Sequence, residues 1–317
     1  MSETKIEANA ENLESLFSSE CLFQVPFFQR PYEWKPKQRN DFLRDLQDQS
    51  ELDESERSHF LGAIVLAPVE EINPELGHPK VFQVIDGQQR LTTALLTGFA
   101  LLHLASSASK QESDVDRAET SKKISRYFES YLVFGTKSTL TGELRIGPSL
   151  EDSAQVRELQ QRIKHDFSRE GLSVTGAYPE QGHGSTLVDA YRTIKAKIKK
   201  DSLGPDHTSG SALELFTCLL RSFKVVAIQL PTNEDPHQIF DSLNTKGLDL
   251  TSSAVIRNYV FSKYTRDEFE SARSLYDGGW ALLSDSLGSR FDQYLFPYSL
   301  ILDPKTGLPR LWLTPDL

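Results

Sequence analysis

Cysteine is scarce in this chain. Cys21 and Cys218 are the only two among 317 residues, and neither lies beside another cysteine or a histidine cluster in the sequence. A disulfide framework and a zinc site are therefore not expected, and both thiols are expected to be buried apolar groups. Positive charge is also in deficit: 35 Lys and Arg stand against 45 Asp and Glu, a net charge of −10. Non-specific affinity for nucleic acid comes mainly from phosphate neutralisation, so this balance argues against constitutive, charge-driven binding. It leaves room for a local basic patch or a partner subunit that carries one. No run of about 18 apolar residues occurs, so no membrane span is expected. The polar, acidic opening MSETKIEANAENLESLF has no signal-peptide layout, and cytoplasmic residence is the expectation. No internal repeat is visible. A mean hydropathy of −0.41 and 38% hydrophobic residues describe an ordinary soluble protein, and the length suggests about two domains.

The chain is organised around residues 80–104, KVFQVIDGQQRLTTALLTGFALLHL. Val81, Val84 and Ile85 mark a strand. Leu91, Leu95, Gly98 and Leu102, joined by Ala94 and Phe99, form one face of a helix. Between them lies the turn Asp86-Gly87-Gln88-Gln89-Arg90. A strand that enters a helix through such a turn aims free backbone N–H groups and the positive end of the helix dipole at one point, which suits a phosphate. Gly87 lets the backbone approach a ligand, and Arg90 offers the planar fork that grips phosphate oxygens. Asp86 has the chemistry to hold a metal or orient water, and Gln88 and Gln89 supply neutral donors and acceptors. The competing reading is a plain strand-to-helix turn in which Asp86 caps the helix and Arg90 makes a surface salt bridge.

Before this stretch, residues 8–18 have a helical pattern and residues 21–25 a strand pattern. The segment PFFQRPYEWKP over 26–36 follows, a loop stiffened by three prolines. Gln29 and Arg30 are candidates to line the same anion site as Arg90. Tyr32 and Trp34 read either as an apolar wall or stacking platform, or as clamps that fix the loop to the core. A helix over 36–49 turns Phe42, Leu43 and Leu46 inward. Lys35 just before it and Lys37, Arg39 and Arg44 on it suit either a nucleic-acid backbone or a solvated face. An acidic loop at 50–58, a buried strand at 59–66 and a turn at 69–79 lead to the central stretch, so residues 1–105 are expected to form an α/β core.

The polar stretch 106–121 reads as a flexible connection. Residues 122–317 are mainly helical in pattern, with a possible strand pair at 140–146, helices at 153–167, 187–200 and 213–222, and a strand at 224–230. The Lys-rich end KAKIKK complements a helix C-terminus. Residues 235–263, DPHQIFDSLNTKGLDLTSSAVIRNYVFSK, form two helical segments joined at Asn244-Thr245-Lys246-Gly247. A DNA-reading helix-turn-helix needs a basic second helix, and Arg257 is the only basic residue from Thr251 to Phe261. Asn244 and Lys246 read as ligand-site candidates or as an ordinary interhelical corner.

In this order, FQRPYEW, HFLGAIVL, VIDGQQRLTT and IFDSLNTKGLDLTSSAVIRNYVF resemble the N-terminal domain of the GmrSD type IV restriction enzymes and their relatives BrxU and SspE. The resemblance spans residues 20–265 and implies an α+β protein, with a ParB/sulfiredoxin-like α/β core followed by a mainly helical region. It implies that the DGQQR segment serves nucleotide binding and hydrolysis, with Gln29, Arg30, Asn244 and Gly247 matching the family's other two motifs. It also implies action on modified DNA, such as DNA carrying phosphorothioate or a glucosylated base. Cutting would belong to an HNH-type nuclease domain or subunit. The seven histidines, at 59, 78, 103, 165, 183, 207 and 237, are scattered and form no convincing nuclease motif.

The expected function is accordingly an NTP-binding, NTP-hydrolysing regulatory module, using GTP or ATP with Mg²⁺. Asp86 is its catalytic or metal-holding carboxylate, and Gln88 or Gln89 places water. Gln29, Arg30, Gly87, Arg90, Thr92, Asn244 and Lys246 contact the nucleotide. The alternative of modified-DNA recognition uses Tyr32, Trp34, Lys35 and Arg39. A third, a ParB-like nuclease, lacks a second carboxylate cluster near Asp86. A homo-oligomer is compatible with either.

Overall fold

The computed structural model describes residues 7–18, 20–26, 29, 31–69, 80–134, 141–147, 153–168, 170–174, 186–231, 252–261, 269–291 and 293–295. The chain divides into two units, Met1–Pro236 and His237–Leu317.

The elements of the first unit run β1 (Glu7–Asn12), α1 (Leu13–Ser18), β2 (Cys21–Gln24), α2 (Pro36–Glu51), β3 (His59–Pro68), β4 (Lys80–Asp86) and α3 (Gln88–Ala108). Next come α4 (Asp114–Tyr127), β5 (Val133–Phe134), β6 (Thr141–Leu144), β7 (Ile146–Gly147), α5 (Ser153–Asp166) and β8 (Ser173–Val174). The unit ends with α6 (Thr186–Lys197), α7 (Ser209–Ser222) and β9 (Phe223–Gln229). Among the described residues the main sheet has six strands in the order β1-β9-β3-β4-β2-β7, and β5-β6-β8 form a smaller sheet. The main sheet is mixed: β3 runs parallel to β9 but antiparallel to β4, and β2 runs parallel to both β4 and β7. The α+β class read from the sequence is the class observed.

Helix α3 is the axis of the core. One apolar face was expected, yet residues all round the helix are buried, Thr92, Thr93 and Thr97 among them. The hydroxyls of Thr93 and Thr97 donate to the carbonyls of Gln89 and Thr93, each at 2.8 Å, which satisfies polar groups that cannot reach water. By length and hydropathy the segment Gln88–Gln111 would qualify as a membrane span, at a mean of 1.4, but 83% of that window is buried inside the protein. Its apolar surface is used by the core, where Phe99, Phe128 and Phe167 pack with ring centroids 5.2–6.5 Å apart.

Three expectations are corrected. Residues 8–18 are not one helix, because residues 7–12 form β1, paired antiparallel with β9. That strand, EANAEN, lies at the sheet edge with mostly exposed side chains, so backbone pairing holds it and its side chains carry no strand pattern. The stretch 106–121 is not a flexible connection. Helix α3 continues to Ala108, and α4 starts at Asp114 with Ser113 Oγ accepting from Asp116 N at 3.2 Å. Polar residues there have partners: Ser106 donates to Glu170 at 2.5 Å, and Glu112 accepts from Thr120 at 3.1 Å and from Ser209. The α/β core does not close at residue 105 either, since β9 is an internal strand of the main sheet, between β1 and β3, and the first unit extends to Pro236.

One buried carboxylate ties three helices together. Asp166, 1% exposed at the end of α5, lies 2.5 Å from His103 Nδ1 of α3 and 3.0 Å from Lys195 Nζ of α6. It also accepts from Tyr191 at 2.9 Å and pairs with Arg162 at 3.0 Å.

In the second unit, helical segments Ser252–Phe261, Phe269–Leu275 and Leu282–Leu287 are joined by an aromatic cluster in which Trp280 meets Phe261 at 6.0 Å and Phe291 at 5.2 Å.

Candidate functional site

Strand β4 delivers Asp86 to the surface, and α3 begins two residues later. Gly87, at φ 93° and ψ 2°, is the residue that turns the chain, and no side chain caps the helix. Asp86 is turned instead toward Arg90, whose Nη2 donates to Oδ2 at 3.1 Å. The two side chains are 40% and 26% exposed. The helix-capping role weighed for Asp86 is therefore not what forms, while an Asp86–Arg90 pair over an uncapped helix start does. At that exposure the pair contributes little to stability, under about 1 kcal/mol.

Gly87 has both a conformational and a steric reason to be glycine. Its φ lies where side-chain-bearing residues are strained, and a Cβ there would come 2.5 Å from Cγ2 of Ile64, a fully buried residue of β3. Gly87→Ala is expected to cost at least about 2 kcal/mol from strain and overpacking, read as a lowered midpoint in urea unfolding.

Strand β3 contributes a residue that sequence reasoning missed. Gly62, at φ 120°, lies directly under Arg90: a Cβ there would be 2.0 Å from Nη1. The register against β9 shifts between Phe60 and Gly62, so the glycine sits at a bulge. The available signal was a glycine inside the apolar run HFLGAIVL, which marks a bulge or a close approach. Gly62→Ala is expected to displace the guanidinium and weaken anion binding at Arg90 about tenfold, measured by fluorescent-nucleotide titration. The Arg90 side chain can give way, but a φ of 120° also strains alanine at the bulge by about 1–3 kcal/mol, so binding is compared at equal folded concentration.

A second bulge lies opposite the turn. The β3–β4 register pairs Val65 with Asp86 and Leu66 with Val84, so Ile85 is skipped. Gln29, 5% exposed, donates from Nε2 to the Ile85 carbonyl at 3.0 Å. Gln29 thus holds the strand end that carries Asp86. It does so from the side of the backbone.

Gln89 points away from the Asp86–Arg90 pair. Its Oε1 accepts from Glu33 N at 2.9 Å and Trp34 N at 3.3 Å, and its Nε2 donates to the Pro31 carbonyl at 2.9 Å. With the oxygen so occupied, Gln89 clamps the PYEW loop to α3 and is not placed to orient water. Tyr32 is likewise part of this clamp. It is 5% exposed, its hydroxyl lies 2.9 Å from Thr93 Oγ1, and burial pushes its phenol upward. Trp34 packs edge-on to Phe42 at 6.3 Å, and Arg39 Nη1 donates to its carbonyl at 3.0 Å. Of the two readings of the aromatics, the clamp is the one that forms for Tyr32, and a stacking platform is excluded by its burial.

The structure therefore brings Asp86, Gly87, Gln88 and Arg90 together with Gly62. Gln29 and Gln89 support them from behind, and Thr92 is 5% exposed, within the helix's buried circumference. Lys35 is exposed at the start of α2, where its N–H donates to Gln38 Oε1 at 3.1 Å. Arg30, Asn244 and Lys246 lie outside the described residues. Among the described residues no group of three or more His, Cys, Asp or Glu is arranged to hold a metal. Asp86 alone supplies a carboxylate at the turn.

No curated protein matches the chain. The family of the GmrSD restriction endonuclease N-terminal domain, by contrast, matches residues 13–261. That span contains β4, the glycine turn and α3, as well as the PYEW loop and the bulged strand β3. The chain belongs to the GmrSD restriction endonuclease N-terminal domain family and is a component of a type IV restriction system.

Proposed function

We propose that the chain is the nucleotide-responsive module of its restriction system, binding and hydrolysing an NTP at the β4–α3 turn. The observation that carries this reading is the half-exposed Asp86–Arg90 pair standing over an uncapped helix start. Arg90 would exchange its bond to Asp86 for phosphate oxygens, which a guanidinium holds in pairs, and the first N–H groups of α3 would add donors. Asp86, released from Arg90, would then face the cation that accompanies the phosphates. One carboxylate is sufficient for Mg²⁺, which keeps several waters and takes its remaining ligands from the phosphates. In phosphoryl transfer the protein mainly positions groups and neutralises charge, and this turn provides both functions. Gln88, half-buried beside the pair, remains the candidate to place water. Gln89 and Gln29 act by holding the loop and strand in place.

In this reading the chain works in the cytoplasm, where modified DNA is the signal and an HNH-type nuclease domain or subunit does the cutting. Burial of Tyr32 argues against that side chain as a reader of the DNA. Titration of the purified chain with fluorescent GTP and ATP in Mg²⁺, with and without modified duplex, tests the proposal. Saturable binding that responds to DNA is expected; failure to bind either nucleotide under all conditions would remove it.

A further inference from the structure

A cleft of about 350 Å³ opens between α2 and α6, away from the turn described above. Its floor includes Leu43 and Ile194, both buried, and its rim carries Arg39, Lys197 and Lys200 with Asp201 as the acid among its lining residues. Lys197 pairs with Asp201 at 2.5 Å. Arg39 donates to the neutral carbonyl of Trp34 and also bonds the Tyr32 side chain, neither of them an anion, and Lys200 is exposed. Three cations against one carboxylate reverse locally the net charge of −10 that the whole chain carries.

The distribution of charge on the two helices sharpens this. Lysines at the end of α6 follow from the helix dipole, which favours cations at a C-terminus. The first turn of α2 does the opposite. It has no acidic residue, and Lys35, Lys37 and Arg39 crowd an end where the dipole favours anions. Helix stability does not account for those cations; of the three, Arg39 lines the cleft, where a bound anion would account for it.

We propose that this cleft seats the phosphate backbone of DNA, its cations bridging adjacent phosphates and its apolar floor receiving the sugar edge or an apolar substituent on the strand. The inference rests on the restriction-system membership and is independent of nucleotide hydrolysis at the turn. It places the DNA-contacting surface on Arg39, Lys197 and Lys200 and takes it off Tyr32.

Fluorescence anisotropy with a labelled duplex of about 20 base pairs, run over a salt series on the 317-residue chain, tests it. Three proteins are compared: the parent, a Lys197→Ala/Lys200→Ala variant, and a control Lys110→Ala/Lys122→Ala variant that removes the same charge from exposed positions elsewhere. All three are checked for equal melting temperature. Loss of two phosphate contacts should lower the slope of log Kd against log salt by about 2 and weaken binding about tenfold near physiological salt, with the control unchanged. Equal affinity in parent and cleft variant, equal losses in cleft variant and control, or binding of an acidic peptide but not DNA at the cleft would each overturn the proposal. Nucleotide turnover is read on the same samples. A cleft variant that loses DNA while the parent turns over no nucleotide would support the cleft and count against the turn alone.

Discussion

Arg90→Ala is expected to lower nucleotide turnover by about two to three orders of magnitude, the usual cost of removing one preorganised donor from developing phosphate charge. The same variant should keep its melting temperature. Arg90 is 26% exposed and pairs with a half-exposed Asp86, so the stability at stake is small. The separation between lost turnover and kept fold is what marks a functional arginine. A structural one, such as Arg145, behaves differently. It is 4% exposed, donates to the carbonyls of Cys21, Ser130 and Val133, and is lowered to about 10 by burial. Steady-state phosphate release with thermal melts on the same preparations distinguishes the two behaviours.

Asp166→Asn is expected to produce the opposite separation, a loss of about 3–5 kcal/mol of stability with no direct effect on the turn, because it leaves buried cations without their partner. Burial by itself would raise the Asp166 carboxyl, but the hydrogen bond and charge of His103, with bonds from Lys195 and His165, outweigh it and hold the group well below the usual carboxylate range. A depressed folded-state value fixes the sign of the pH dependence. The stabilisation is fully present above the unfolded-state value near about 3.9 and is lost progressively as pH falls below it toward the folded-state value. Urea midpoints measured from pH 7 downward should fall in the parent below about pH 4. The Asp166→Asn protein should start lower and show a shallower acid decline.

The central stretch was legible because it combines two strong periodicities with a glycine between them. Val81 to Ile85 read as a strand and Leu91 to Leu102 as a helix, and Gly87 is the left-handed residue that joins them. What the periodicity missed was burial on every side of α3, since Thr93 and Thr97 look polar in sequence while their hydroxyls are bonded back to the helix itself. Strand β1 was illegible for the converse reason: its pairing is made by backbone to β9, more than two hundred residues away, and its side chains face solvent. At the site, residue type pointed to Asp86, Gly87 and Arg90, which the structure brings together at the turn, but could not separate the two adjacent glutamines. Helical geometry sends Gln89 inward to the PYEW loop and leaves Gln88 half-exposed. The glycine in HFLGAIVL signalled a bulge or a close approach but not a site residue, because the group it makes room for is a guanidinium contributed from another element.

The acidic composition describes the whole chain and not its parts. Net charge sums over every surface, and the cleft between α2 and α6 gathers cations that lie far apart in sequence. Only the fold brings Arg39 beside Lys197 and Lys200.

The most direct test of the account is phosphate release from NTP and Mg²⁺ by the purified chain, compared with Asp86→Ala at equal folded concentration. The account predicts turnover in the parent, stimulated or suppressed by modified duplex, and none above background in Asp86→Ala with an unchanged melting curve. A parent without turnover under either DNA condition, or an Asp86→Ala protein as active as the parent, would contradict it.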